Sequence, residues 1–463
     1  MTTFRGHLRS LEDDGDLLTV SERVHWDGEA TAVATEALEG DCGALRFAST
    51  AGGVDLASGV YAGRAQITSR HHRPWRRIER SLGCENEEYG RLLETLSRRE
   101  TRDLDDTPFE EPAATVDSGA DLYSLGLPTV EPDGRQLLTL GLIAVERDGV
   151  TSWAPVRGTI RRRSRLRLSI PRPFVEWCSD ERSASVSLGV GAAPHIAALQ
   201  GWTLDRTTTA VPELATAIDD VAIAAVDGRT VPANAEVRID GSMTSVDDEV
   251  AGPVEIWERG CETTGVTVEV DAIAMRDSPV VPFVPLGAPL TDDLHLTALV
   301  EAAALYRRIN GYWGVSPVSW IRLPVEGWLG LCLVSSEILY SGFEWQLANA
   351  LFSFSSFFDK VLILDDYNEP TDLARALDDM WVKAHPSNDW TFSDADAPAA
   401  SAPLYRRDGE TGSRLYINAT WDPRWDEEYI APRVTFDSTY PEGIRERALD
   451  HWDRLESGGE SND

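Results

Sequence analysis

Val231-Pro-Ala-Asn-Ala-Glu236-Val-Arg-Ile-Asp240-Gly241 is the stretch on which the fold turns. Val237 to Ile239 is a short β-prone segment, and others of the same kind lie on both sides of it. Leu137 to Val145, Ser152 to Thr159, Arg165 to Ile170, Val221 to Ala225 and Val266 to Met275 are each rich in residues that favour a pleated, half-buried surface, and turn residues separate them. A run of short strands at this spacing predicts a β-rich domain, a barrel or a sandwich.

The flanks have a different texture. At the start, Phe4, Leu8 and Leu11 fall on one face of an amphipathic helix, Gly15 stops it, and Leu17 to Val20 begins a strand. Ala44 to Phe47 and Val60 to Arg64 read as further short strands, and Arg98 to Val116, polar and interrupted by Pro108 and Pro112, as a linker. On the other side, Leu294 to Arg308 is a helix candidate, and the apolar strand Val361-Leu-Ile-Leu364 runs into Asp365-Asp366, as in an α/β layer. After Gly443 the chain reads as a charged helix, with Ser457 to Asp463 expected to be disordered. The expected organisation is an α/β region over 1–115, the β-rich domain over 116–290, a connecting helix over 291–310, an α/β domain over 311–440 and a charged tail over 441–463.

Charge excludes several partners. Asp and Glu total 77 against 43 Lys and Arg, a net charge of −34, and only Lys360 and Lys383 among the bases are lysines. Such a field repels phosphate backbones, so nucleic acid is not an expected partner. An acidic, lysine-poor surface suits a salt-rich cytoplasm, where screening removes self-repulsion. There is no apolar run long enough to span a bilayer and no apolar leader at the N-terminus, so a cytoplasmic location is expected. The five cysteines are scattered, without a Cys-x-x-Cys pair to hold zinc. The local basic island around His71-His72 reads as a solvated or intersubunit face, and His195 as a helix-start residue.

Several segments, in order, resemble the UbiD family of prenylated-flavin-dependent decarboxylases. They are Leu8 to Leu18, Asp121-Leu-Tyr-Ser-Leu-Gly-Leu-Pro128, Gly134 to Asp148, Gly189 to Ala198, the opening stretch Val231 to Gly241 (similar to the family's Val-Pro-Ala-x-x-Glu-Ile-Val-Leu-Glu-Gly), Gly252-Pro253, and Lys360 to Asp366. The resemblance implies an α+β fold: a central split β-barrel of the flavin-binding type, an N-terminal α/β region, a long connecting helix and a C-terminal α/β domain used in oligomerisation. It also implies a carboxy-lyase acting on an unsaturated or aromatic acid with prenylated FMN as electron sink. The partners it implies are a small carboxylic acid and other chains in a homo-oligomer or a hetero-oligomer with a second UbiD-type subunit.

Transferred position by position, the resemblance makes Arg157 the site arginine, suited to holding a carboxylate without losing its proton. Glu255 becomes the acid–base residue, because the family's Glu-Gly-Pro-Phe-Gly-Glu aligns with Ala251 to Ile256. Its first glutamate is then Ala251 and its second Ile256, with Glu255 one residue early, a slip that in a strand would turn the side chain to the other face. Glu249 and Glu258 read as surface charge. Ser152, Val156 and Arg172 are the expected cofactor contacts. The family's divalent-metal ligands are missing: an asparagine is replaced by Ser152, a Pro-x-His histidine by Pro173 in Pro171-Arg172-Pro173, and a glutamate by a position near Ala225, with Asp219, Asp220 and Asp227 the nearest carboxylates. Serine is a poor ligand and proline none, so any flavin is expected to bind weakly, with potassium but without a divalent ion. The lysine that family members carry before the last strand is also absent from Phe352 to Phe358. Two functions stay open: a decarboxylase with a rebuilt cofactor site, or a non-catalytic paralogue that partners an active subunit.

Overall fold

In the computed structural model, described over residues 3–459 except 41, 49, 52–53, 64–72, 85–87, 99, 105–106, 108, 118–120, 132–133, 204–207, 248–252, 367–368, 394–396, 399, 402–410 and 422–435, the chain is a mixed α+β protein. It divides into a body, Met1–Thr420, and a tail, Trp421–Asp463.

The N-terminal region opens with α1 (Phe4–Asp13), capped by the Thr3 hydroxyl, which accepts from Gly6 N–H; the helix buries Phe4, His7, Leu8 and Leu11 on one face. It continues through β1 (Leu17–Val20), α2 (Glu29–Glu39), β2 (Ala44–Phe47), β3 (Asp55–Ser58), α3 (Arg76–Ser81) and α4 (Tyr89–Ser97). The strand expected at Val60 to Arg64 is instead β3, just upstream, because Asp55 to Ser58 completes the ladder with β2.

The centre is a closed antiparallel barrel. A short edge strand, β4 (Thr115–Asp117), precedes β5 (Leu137–Arg147), β6 (Val150–Arg162) and β7 (Arg165–Pro171). Helix α5 (Arg172–Trp177) leads to β8 (Ser183–Leu188), then α6 (Ala192–Trp202), α7 (Val211–Ile218), the hairpin β9 (Ile223–Val226) and β10 (Arg229–Pro232), and the long strands β11 (Val237–Asp247) and β12 (Thr263–Met275). Strand order β11-β8-β5-β6-β7-β12 closes on itself through β11–β12, with β4 at the edge of β12. Closure leaves these six strands no free edge. Nine consecutive residues of β5, Leu137 to Val145, are buried, because one face lines the barrel and the other is covered.

After the barrel, β13 (Val280–Pro282) returns to pair in parallel with β3, in a sheet ordered β1-β2-β3-β13. The long helix α8 (Asp292–Tyr312) leads to β14 (Val318–Arg322), β15 (Leu331–Ser336), α9 (Phe343–Phe354), β16 (Lys360–Leu364), α10 (Leu373–Lys383), β17 (Trp390–Phe392), a two-residue ribbon β18 (Ala397–Pro398) and β19 (Thr411–Gly412), and β20 (Leu415–Ala419). These form a five-stranded sheet ordered β14-β15-β16-β20-β17, with β16 between two parallel neighbours and buried. The tail contains α11 (Phe436–Thr439) and α12 (Glu442–Gly459). The helix thus runs past the Ser457 boundary expected for disorder, and Glu460 to Asp463 lie outside the described residues.

The Val231–Gly241 stretch works as a structural tie. Glu236, fully buried, accepts from Arg5 Nε at 2.7 Å and from Val280 N–H at 3.1 Å and pairs with Arg276, joining α1, the barrel and β13. A second tie is Asp292, at the start of α8. Its carboxylate accepts from the N–H groups of Gly59, Tyr61 and Ala62 at 2.9, 2.6 and 2.7 Å, fixing the loop after β3 to the long helix.

Candidate functional site

Arg157 lies in the middle of β6, directly opposite Ser169 of β7, so both side chains leave the same face of the sheet. They meet one carboxylate. Arg157 Nε donates to Glu258 Oε1 at 2.5 Å and Nη2 to Oε2 at 3.2 Å, while Ser169 Oγ donates to Oε2 at 2.6 Å. Both charged side chains are 2% exposed. Glu258 was expected on the surface and is instead buried, because it sits in a 3-10 turn, Ile256–Arg259, folded back against the barrel.

Glu255 caps that turn. Its backbone N–H donates to Glu258 Oε1 at 2.9 Å, and its own carboxylate receives N–H bonds from Leu140 at 2.7 Å and from the Trp257 indole. Here the chain is a capped turn and not a strand, so the feared flip of Glu255 to an opposite strand face does not arise. Leu140 can donate because β5 carries a bulge between Leu138 and Gly141 that puts Leu140 at φ +49° and turns its N–H out of the ladder. Gly141 makes the bulge possible: a Cβ there would stand 2.6 Å from Leu138 Cδ2 and 3.0 Å from the Val156 backbone oxygen.

Asp293, the second residue of α8, completes the group by accepting from Ile256 N–H at 2.7 Å through Oδ2. Burial pushes the Glu255 carboxyl up to about 8, the nearby Asp293 charge adds to the rise, and the two N–H donors only partly offset it. Burial raises Asp293 as well. The result is a buried arginine held by one carboxylate beside a second carboxyl that keeps its proton near neutral pH.

The other expected site residues lie elsewhere. Ser152 is buried at the start of β6, and its hydroxyl accepts from the Trp202 indole at 3.1 Å. Val156 is buried in the same strand, opposite Gly141. Arg172 is partly exposed and pairs with Glu262 at 3.2 Å. Pro173 borders a shallow groove with Glu176, Trp177, Trp202 and Thr208, and the rings of Phe174, Trp177 and Trp202 pack against one another in tilted and edge-to-face contacts. The three carboxylates nearest the third ligand position are engaged: Asp219 Oδ1 accepts from Asp220 N–H, Asp220 pairs with Arg102, and Asp227 with Arg229. Ala251 and Glu249 lie outside the described residues, as do His71 and His72. His195 lies in the first turn of α6, at the helix start expected for it, buried near the Tyr61 ring, and burial pushes its imidazole down to about 4.

A divalent metal does not fit this arrangement. The Ser152 hydroxyl already takes an indole N–H, Pro173 has no donor atom, and among the described residues no three His, Cys, Asp or Glu side chains converge as ligands. Among the described residues no basic side chain lines the groove beside Pro173.

Family comparison supplies the context. The model of the 3-octaprenyl-4-hydroxybenzoate carboxy-lyase N-terminal domain matches residues 8–96, and that of its C-terminal domain matches residues 294–419. The chain belongs to the UbiD family. The barrel lies between the two matched segments. No curated protein matches the sequence. Among solved structures, a UbiD-class enzyme from Pelotomaculum thermopropionicum in complex with FMN is 20% identical, with a TM-score of 0.77 over 96% of this chain and 99% of that one. The vanillic acid decarboxylase of Sedimentibacter hydroxybenzoicus, in open form, is 18% identical, with a TM-score of 0.75 over 99% of both chains. The apo 3,4-dihydroxybenzoic acid decarboxylase of Klebsiella pneumoniae is 17% identical, with a TM-score of 0.75 over 96% of this chain and 99% of that one. At these identities the likeness is one of fold. No described helix is long and apolar enough to cross a membrane.

Proposed function

We propose that this UbiD-family chain is a carboxy-lyase for an unsaturated or aromatic carboxylic acid, with a proton-handling site that is intact and a metal site that has been lost. The observation that carries the proposal is the buried Arg157–Glu258 pair beside Glu255. Loss of CO2 breaks the bond to the carboxyl carbon and leaves the electron pair on the adjacent carbon, which must then take a proton. Glu255 is the residue placed to supply it, since its carboxyl stays protonated near neutral pH. Arg157 fixes Glu258, and the capping bond from Glu255 N–H to Glu258 fixes Glu255 in turn. The electron sink is not among these side chains. Prenylated FMN, which a solved relative carries, would have to be held without a divalent ion.

A second function is favoured by one specific contact, the Trp202 indole on the Ser152 hydroxyl, which fills the place where a ligand is needed. On that basis the chain is a non-catalytic paralogue that associates with an active UbiD-type subunit. Self-association or partner binding also accounts for the apolar residues on α9 and α10, where Trp381 is 84% and Trp345 55% exposed.

The test is to co-express the chain with a prenylated-flavin synthase, purify it in concentrated potassium chloride, and measure CO2 release from vanillate, 3,4-dihydroxybenzoate and cinnamate. Release from any of these, absent in Glu255→Gln, supports the carboxy-lyase. No release, together with stable co-purification of a second UbiD-type chain, supports the paralogue.

A further inference from the structure

The groove beside α5 has a volume of about 500 Å³. Pro173 and Glu176, three residues apart on that helix, border it together with Trp177. Trp202, the last residue of α6, and Thr208 and Thr209 beyond it complete the lining. The two helix ends bring two indoles together. The ring centres of Trp177 and Trp202 are 5.8 Å apart, with the planes inclined by 42°. Trp202 is held from two directions: its N–H donates to the Ser152 hydroxyl at 3.1 Å, and the Phe174 ring meets it edge-on at 5.1 Å between centres. With its N–H already used, what the Trp202 ring has left to offer a ligand is its π surface.

The charge among the described lining residues is negative. Glu176 is exposed and forms no ion pair with a described residue. The arginines nearby in sequence are engaged elsewhere: Arg147 donates to the Trp177 carbonyl and pairs with Asp148 at 3.4 Å, and Arg172 pairs with Glu262 at 3.2 Å. A carboxylate beside indole faces attracts cations and repels anions, through its own charge and through the ring quadrupoles. A transition metal is poorly served, because the described lining holds one carboxylate and no imidazole or thiolate. The net charge of −34 draws cations to the whole surface and does not single out this groove; the indoles do. They select a cation that carries apolar surface and gives up its water readily, which describes a methylated ammonium and not potassium.

We propose that this groove binds a quaternary ammonium ion, with Trp177 and Trp202 against its methyl groups and Glu176 balancing its charge. The volume leaves room for a substituent on the nitrogen, so a substituted ion such as choline fits as well as tetramethylammonium. The inference goes beyond the carboxy-lyase proposal and does not rest on it, since neither Arg157 nor Glu255 lines the groove. It also gives the position of Pro173, where a metal-binding histidine was expected, a different chemistry: an organic cation held by aromatic faces in place of an inorganic one held by ligand atoms.

The experiment is isothermal titration of the full chain, in one fixed concentration of potassium chloride, with choline and with 3,3-dimethylbutan-1-ol, which has the same shape and no charge. We expect saturable binding of choline, with the neutral alcohol at least about tenfold weaker, because it keeps the methyl groups and loses the attraction to the rings and to Glu176. Trp177→Leu and Glu176→Gln are each expected to weaken choline by about threefold to tenfold, with melting temperatures checked alongside. Glu176 is exposed, so its substitution leaves the packing intact and locates the site even if Trp177→Leu fails to fold. Absent choline binding, equal affinity for the alcohol, or choline affinity unchanged in Glu176→Gln or in folded Trp177→Leu would overturn the inference. The titration uses no flavin and reads no CO2, so its outcome is independent of the carboxy-lyase test.

Discussion

Arg157 and Glu258 are 101 residues apart in sequence and form a bidentate ion pair, 2.5 Å at its shorter contact, with both side chains 2% exposed. Such a pair is a poor source of stability, because removing two charges from water costs several kcal/mol. Breaking it from one side is worse, since the partner's charge is then buried alone. We therefore expect Arg157→Gln and Glu258→Gln each to cost about 3–5 kcal/mol, and the double variant to cost clearly less than their sum. Denaturant melts at constant salt give the coupling. Additive losses would mean that the two charges do not depend on one another.

The stability of the fold should depend on pH through two oppositely shifted sets of groups. Glu255 has a folded value near 8 against an ordinary 4.5, so the folded chain holds a proton that the unfolded chain has lost in between. Its contribution is full below about 4.5 and is lost as pH rises through 8. Buried Asp292, raised to about 6, adds a smaller loss in the same direction. His7, His195 and His295 are each pushed down to about 4 by burial, so their penalty appears as pH falls from 6.5 towards 4. Glu255→Gln should flatten the alkaline slope and His195→Leu should soften the acid one, read from melts across pH 4 to 9. An alkaline slope unchanged in Glu255→Gln would place the proton elsewhere.

Metal content follows from Ser152, Trp202 and Pro173. After dialysis against Mn²⁺ and gel filtration, we expect bound manganese far below one per chain by elemental analysis, with or without flavin. Ser152→Asn alone should not restore it, because the Trp202 indole still occupies that site and Pro173 still offers no donor. One manganese per chain would contradict the loss of the metal site.

Salt dependence follows from the net charge of −34. Acidic side chains outnumber basic ones 77 to 43, and both lysines are already paired, Lys383 buried between Asp365 and Asp379 and Lys360 against Asp359, so the acidic surface is left under-compensated. We expect a markedly higher melting temperature at about 2 M than at about 0.1 M KCl, since screening shortens from about 10 Å to a few Å over that range. An equal or lower value in concentrated salt would remove the halophilic interpretation.

Legibility differed from element to element. Strands β5, β6, β7 and β12 could be placed from sequence because their apolar runs are long and bounded by turns. Strand β8 was not, because Ser183-Ala-Ser-Val-Ser-Leu188 looks half polar; two of its serines are buried, and Ser185 bonds Asp240 and receives Arg229. No local pattern could reveal that β13 joins β3, which lies more than two hundred residues earlier. At the candidate site, Arg157 and Glu255 are the residues to which the family pattern points. Glu258 and Asp293 were not legible, because their burial depends on a turn and a helix start brought together by the barrel. The Leu140 donor was hidden for a similar reason, since only the bulge exposes its N–H.

The most direct measurement is CO2 release from an aromatic acid by flavin-loaded protein, with native, Glu255→Gln and Arg157→Gln chains compared at pH 7 in concentrated potassium chloride without divalent metal. We predict measurable release by the native chain and a loss of at least about a hundredfold in Glu255→Gln, in line with the contribution of a general acid. Arg157→Gln should fall as far, through Glu258. No release from the native chain at full flavin loading, or equal release from all three, would contradict a carboxy-lyase built on Arg157, Glu258 and Glu255.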